Sequence, residues 1–257
     1  MKSVLRRIGP YLYSALHSYN SAWELLLLGS ERRCADRDAD RLRARFSFLT
    51  GYSQHAETIR RRLLPAYRAY TATISPDPIA ISLELAVFLY VICEATNPST
   101  LLDLGSGFSS YVFRSYAKSK DTFPAPVTYS VDDSTAWLDE TRRFLQHHEC
   151  DCHNLWTWDE FVKHDRPSFD LVLQDMGDLG TRRRMLTQVL DMCGPAGMLV
   201  IDDMHVPGYR RALARELERL GHSYFSLRTF TRKRLRYSYL VVPDFACTEG
   251  MSRGGGN

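Results

Sequence analysis

The sequence predicts an α/β fold: a seven-stranded, mostly parallel sheet with an antiparallel C-terminal hairpin and an N-terminal helical cap. Three observations predict it. From Leu101 onward, short apolar runs alternate with segments of helical periodicity, as in a parallel sheet covered on both faces. The successive apolar runs terminate in carboxylates, at Asp132, Asp175 and Asp202. The last two β-rich runs, 223–230 and 235–242, are joined by the short polar link 231–234, which suits a hairpin rather than a helical crossover.

The 257 residues suffice for a full core, with 44% hydrophobic and 25% charged side chains, as in ordinary globular proteins. A formal charge of +3 is too small to imply a nucleic-acid partner. The six cysteines (34, 93, 150, 152, 193 and 247) follow no disulfide framework, so a cytoplasmic location is expected. Leu25–Leu28 is far too short an apolar run to span a bilayer, so no membrane partner is expected.

Residues 1–75 read as the helical cap, with apolar spacing over Val4–Leu16, Ser21–Leu28, Asp36–Phe48 and Ala56–Tyr70, interrupted or kinked at Gly29, Gly51 and Pro65. The Arg-rich face (Arg41, Arg43, Arg45, Arg60, Arg61, Arg62) is mixed with Asp38, Asp40 and Glu57, and reads as a solvated surface. After the rigid break at Pro76–Pro78, a strongly apolar helix is expected over Ile79–Glu94.

The α/β domain is expected over 76–245. Its first strand, Leu101–Leu104, runs into Gly105-Ser106-Gly107, a tight turn whose backbone N–H groups and following helix end face a ligand. Val127–Val131 is the second strand and ends at Asp132-Asp133; Ser134 caps the helix beyond it. Strands follow at His153–Thr157, Phe169–Asp175 and Gly197–Ile201, with helices around Glu160, over Arg182–Cys193 and over Gly208–Leu220. A flexible tail is expected over 246–257.

In an open α/β sheet, ligands bind beyond the carboxyl ends of the strands, where these acids collect. A carboxylate at the end of the second strand, past a glycine turn, suits a ribose diol. The element order, the Asp103-Leu104-Gly105-Ser106-Gly107 turn and the final hairpin resemble the Rossmann-like class I S-adenosylmethionine-dependent methyltransferases over roughly residues 79–243. Ser110 stands where a dinucleotide-binding motif would have its third glycine.

The resemblance implies a cofactor, S-adenosyl-L-methionine, with Asp103, Gly105 and Gly107 around its methionine part and Ser106 and Asp175 also among the cofactor-binding residues. It also implies Asp132, or Asp133 in an alternative register, on the ribose, and Trp158 and Asp159 at the adenine. Asp175 and the Asp202-Asp203 pair are similar to the acids that hold magnesium in O-methyltransferases of the catechol and macrocin types. The turn Gln174-Asp175-Met176-Gly177-Asp178 departs from that pattern by being longer. The catalytic expectations are Asp175 and His205, the latter as general base or, alternatively, as a helix-capping residue. The cluster His147–His153 offers five candidate zinc ligands but lacks tetrahedral spacing, and reads as a polar helix end.

The expected partner is a small-molecule acceptor methylated on a hydroxyl, or else a nitrogen, with a homodimer also entertained. The competing expectations are an RNA or protein methyltransferase that uses the Arg-rich cap, and a non-catalytic cofactor-binding scaffold.

Overall fold

A computed structural model of the chain describes residues 33–120 and 124–242. The expected helices at Val4–Leu16 and Ser21–Leu28, and the tail from 246, lie outside the described residues. The cap begins with α1 over 33–45, a 3-10 turn at Ser47–Leu49 and the long α2, Tyr52–Thr73. Pro65 does not interrupt α2. A proline inside a helix costs about 3 kcal/mol. Leu63, Ala66, Tyr67 and Tyr70 are buried around it, and a large apolar side chain contributes about 1.5–3 kcal/mol when fully buried.

Helix α3 spans Leu83–Thr96 and starts later than the apolar run suggests, because the Ser82 hydroxyl accepts the Leu85 N–H at 3.1 Å and caps it there. Residues 76–82 form a turn instead, with the amides of Ile79 and Ala80 both donating to the Pro76 carbonyl. That turn becomes a wall of the functional cleft.

The sheet is seven-stranded, in the order β3-β2-β1-β4-β5-β7-β6. Its strands are β1 Thr100–Leu104, β2 Val127–Asp132, β3 Leu155–Thr157, β4 Phe169–Gln174, β5 Cys193–Ile201, β6 Ser223–Ser226 and β7 Tyr239–Val242. The first five pair in parallel, and β7 runs antiparallel to both β5 and β6. The helices between them are α4 Phe108–Lys118, α5 Thr135–His147, α6 Trp158–Phe161, α7 Leu179–Met192, α8 Pro207–Leu220 and α9 Arg228–Thr231.

Alternation along the strands divides the core in two. Leu101, Leu171, Leu173 and Val200 pack with α2, α3 and α4 on one face. Leu102, Leu104, Val172, Leu199 and Ile201 pack with α7 and α8 on the other.

The C-terminal hairpin is present, but its link is longer than the polar stretch 231–234. Phe230 is buried against Tyr52 and Phe88, with ring centroids 5.1 and 5.9 Å away. That anchor draws the chain off the sheet into α9, and a tight turn at Lys233–Arg236 follows before β7.

Candidate active site

Strand register sets one level at the carboxyl ends. Leu104 pairs with both Val131 and Gln174, and Gln174 pairs with Ile201. The next residues therefore come together: Gly105, Asp132, Asp175 and Asp202. Backbone bonds lock them, with Gly105 N–H on Val131 (2.8 Å), Asp175 N–H on Leu104 (2.6 Å) and Asp202 N–H on Gln174 (3.2 Å).

Beyond these ends lies a cleft of about 520 Å³, within the range of small-molecule sites. Its floor is Gly105, Ser106, Gly107 and Ser109; Asp132, Asp133 and Trp137 line it on the β2 side. Asp175, Gly177, Arg182, Asp203 and Arg236 line the far end, and the turn Pro78–Ile81 with Tyr70 supplies the remaining wall.

Gly105 has φ +107, and a Cβ there would lie 2.6 Å from the Asp175 carbonyl carbon. A side chain is excluded, so backbone forms the floor. Asp103 sits beneath the turn, fully buried, accepting the Ser110 hydroxyl at 2.6 Å and the Ser109 hydroxyl at 3.0 Å on one oxygen. Its other oxygen has no hydrogen-bond partner among the described residues. Burial pushes its pKa up to about 7, against the opposing pull of Ser110, Ser109 and Arg114.

Asp132 accepts the Ser134 N–H at 3.0 Å and, more weakly, the Ser106 hydroxyl at 3.4 Å. Trp137, one turn into α5, donates its indole N–H to the Ser106 carbonyl. Thr141 reaches the Ser106 hydroxyl at 3.3 Å. Tyr70 closes over the turn and bonds the Phe108 backbone; burial, then Asp103 and Asp132, raise its pKa.

The far end is a network of charges. Arg182 lies 2.8 Å from Asp175 Oδ1 and 3.0 Å from Asp203 Oδ2. Arg236 lies 3.3 Å from Asp202 Oδ2 and 3.9 Å from Asp203 Oδ1. Ser238 donates its hydroxyl to Asp202 Oδ1 at 2.8 Å. Burial drives Asp175 well above the usual carboxylate range, with Arg182 opposing and Asp202 and Asp203 reinforcing. Burial acts upward on Asp203 too, but Arg182, Arg236 and His205 outweigh it and hold it at about 2. Asp203 also adopts φ +59, a left-handed conformation that aspartate tolerates better than most residues.

The structure thus brings Gly105, Ser106, Gly107, Asp132, Asp133, Asp175 and Asp203 to one cleft. Asp103, Asp202 and His205 lie behind its surface: His205 is buried, with Nδ1 3.6 Å from Asp203 Oδ1. Trp158 and Asp159, expected at the adenine, do not line the cleft. The Thr157–Glu160 capping box starts α6 right at Trp158, whose ring packs toward Phe161 at 6.2 Å. Within the His147–His153 cluster, the Cys150 and Cys152 thiols donate to backbone carbonyls. Among the described residues, the one group placed to converge on a cation is Asp175, Asp202 and Asp203, with ligand atoms within 4.8 Å of one another.

Those three acids do not fit a magnesium ion as they stand. Asp202 has both oxygens engaged, and guanidinium groups already occupy one oxygen each on Asp175 and Asp203. Magnesium demands near-octahedral oxygen ligation at about 2.1 Å, and two fixed positive charges oppose its entry. Tyr70, Trp137, Arg182, Arg236 and the turn Pro78–Ile81 are site residues the sequence reading does not identify. Only Arg182 carried a local signal: it shares the spacing of buried Leu186, Val189 and Met192.

No protein-family model and no curated protein matches the sequence. Solved structures do resemble it. One is the O-methyltransferase TomG from Streptomyces achromogenes, involved in tomaymycin synthesis, in complex with S-adenosylmethionine: TM-score 0.55, 17% identity, covering 70% of this chain and 88% of that one. Another is an O-methyltransferase from Bacillus cereus in complex with S-adenosylhomocysteine: TM-score 0.53, 14% identity, 70% of this chain and 90% of that one. A third is cofactor-bound Rv0187 from MTB: TM-score 0.54, 18% identity, 70% and 88%. The chain has the fold of these proteins, a Rossmann-like sheet with an antiparallel C-terminal strand pair.

Proposed function

We propose that this chain is an S-adenosylmethionine-dependent methyltransferase that methylates a hydroxyl of a small-molecule acceptor. One observation carries the reading. A glycine turn and a ribose-suited carboxylate, with a buried acid bearing an unpartnered oxygen behind them, form one end of a cleft whose other end holds a separate acid–arginine cluster.

The residues present suit the cofactor. Gly105 and Gly107, packed close against the Asp175 backbone and the Tyr70 hydroxyl, present backbone at the floor, Asp132 accepts from a ribose diol, and Trp137 lies at the β2 side where a base would stack. Asp103, below the turn, suits a cationic amino acid end. When bound, S-adenosylmethionine supplies a methyl on a sulfonium, an electrophile that leaves its bonding electrons on sulfur.

The chain's own task is to align an oxygen and remove its proton. Pro78, Ile79, Ala80 and Ile81 form the apolar wall against which an acceptor packs, and alignment of this kind can account for several kcal/mol of the barrier. Asp175 lines the cleft, whereas Asp202 lies behind it, and burial raises the affinity of Asp175 for a proton, so it takes the hydroxyl proton. Asp203, kept ionised, fixes Arg182, and His205 supports it from behind. No step passes through a metal.

Arg43, Arg60 and Arg61 of the cap pair with Asp40, Glu84 and Glu57, an arrangement that favours a small-molecule acceptor over RNA.

Calorimetry with S-adenosylmethionine, followed by detection of S-adenosylhomocysteine over a panel of hydroxylated and aminated small molecules, tests the proposal. One-to-one binding and turnover on a hydroxyl acceptor are expected. Absence of binding overturns the reading, and binding without turnover on any acceptor favours a scaffold.

A further inference from the structure

We infer that Arg182 and Arg236 stand in for the divalent cation of a carboxylate cage, so the acid cluster of this chain takes no metal and carries its own fixed cation. Transfer that needs no metal rests on the methyl-transfer reading above; the exclusion of metal does not.

Three acids meet at the ends of β4 and β5, a donor set that would ordinarily attract a hard cation. Here the two guanidinium groups offset two of the three charges. Neither is a loose surface arginine. Arg182 is buried, and beyond its two carboxylates it donates to the backbone carbonyls of Asp175 at 2.7 Å and Gly177 at 3.3 Å. Its own carbonyl accepts the Gln174 side-chain amide at 2.8 Å, so helix and strand hold it from both ends. The longer turn after β4 provides the Gly177 carbonyl and the start of α7, and so creates the place that Arg182 fills.

Arg236 is pinned from the opposite side. It donates to the carbonyls of Pro78 at 3.1 Å and Ala80 at 2.9 Å while reaching Asp202. An entering ion would have to displace forks from the carboxylates and leave these buried carbonyls without donors, each a loss of a hydrogen bond with no water to replace it. Arginine suits the role because its planar fork cannot lose its proton and can bridge two acceptors at fixed geometry. A magnesium ion gives its acids a removable partner. Arg236 instead joins the acids to the Pro78–Ala80 wall, so the polar and apolar sides of the acceptor space are set in one piece.

The test is manganese binding followed by electron paramagnetic resonance on the full chain, with no turnover required. Wild-type protein should show no saturable Mn²⁺ site up to about 1 mM. The double variant Arg182→Met/Arg236→Met should gain one, and adding Asp203→Asn should remove it. A saturable wild-type site abolished by Asp203→Asn overturns the inference. So does a folded double variant that binds no manganese. If the double variant does not fold, the wild-type titration with and without Asp203→Asn still decides.

Turnover, once an acceptor is found, should keep its rate in excess chelator, and a more than tenfold loss restored by Mg²⁺ would overturn the inference independently. Failure of S-adenosylmethionine to bind would sink the methyl-transfer reading while leaving the manganese result in force.

Discussion

A Cβ on Gly105 would stand 2.6 Å from the carbonyl carbon of Asp175, so the turn after β1 and the end of β4 meet backbone to backbone. Gly105→Ala must therefore move one of two packed strands and hold alanine at a strained φ. A sparsely populated backbone conformation alone costs about 1–3 kcal/mol. We expect a lower Tm and at least a tenfold loss of S-adenosylmethionine affinity, measured by thermal melting and calorimetry. Unchanged affinity would mean that the turn is not the cofactor floor.

Asp132 tests the other half of the proposed cofactor site. A hydrogen bond to a charged group is worth about 1.5–3 kcal/mol, so Asp132→Asn should weaken cofactor binding roughly 10- to 100-fold. Because its carboxylate faces the β2 side rather than the acid cluster, turnover at saturating cofactor should fall far less. A large drop in kcat with unchanged cofactor affinity would contradict this assignment.

Asp103 gives a pH signature with a definite sign. Its folded pKa of about 7 lies above the unfolded value of about 3.9. The folded state therefore holds the extra proton between those values, and this group's contribution to stability falls as pH rises from about 4 to about 7. Above that range its contribution is flat. Asp103→Asn should reduce the decline in Tm between pH 5 and pH 8 relative to wild type; parallel profiles would refute it. A cationic ligand favours the ionised form, so cofactor affinity should rise with pH through about 7 in wild type and not in the variant.

Ile79 tests the acceptor wall. It is 43% exposed, at the cleft rim. Ile79→Ala removes roughly 1 kcal/mol of apolar contact with an acceptor that packs there, an acceptor KM about fivefold higher. The cofactor Kd should not move. Parallel changes in both constants would show that the turn 76–82 shapes the whole cleft rather than its acceptor end.

What could be read from the sequence follows from what is local. The glycine turn and the strand-end acids are legible because a parallel sheet forces ligand chemistry to its carboxyl edge. Arg182 was legible in principle: it lies four residues before Leu186 on the buried face of α7, but nothing local distinguishes it from the exposed Arg183 and Arg184 beside it. Tyr70 and Arg236 reach the site from α2 and from the link before β7, so nothing in their immediate neighbours marks them. The start of α3 depended on the Ser82 cap, which the apolar character of Ile79 and Ile81 obscured. The link 231–234 looked like a simple turn because the burial of Phe230 is a tertiary effect.

The Arg236–Asp202 contact, 34 residues apart in the chain, also sets an order of assembly during synthesis. Asp202 and Asp203 leave the ribosome well before Arg236 and Ser238, and until those arrive Asp202 lacks both of the partners that engage its oxygens. The Pro78 and Ala80 carbonyls lack the Arg236 donor over the same interval. The residues on the β2 side of the cleft, Asp132 and Trp137 among them, precede β5 in the chain, whereas the charge balance at the far end waits for Arg236. A chain truncated before Arg236 would keep the residues that line the β2 side of the cleft and lack the two side chains that engage the Asp202 oxygens.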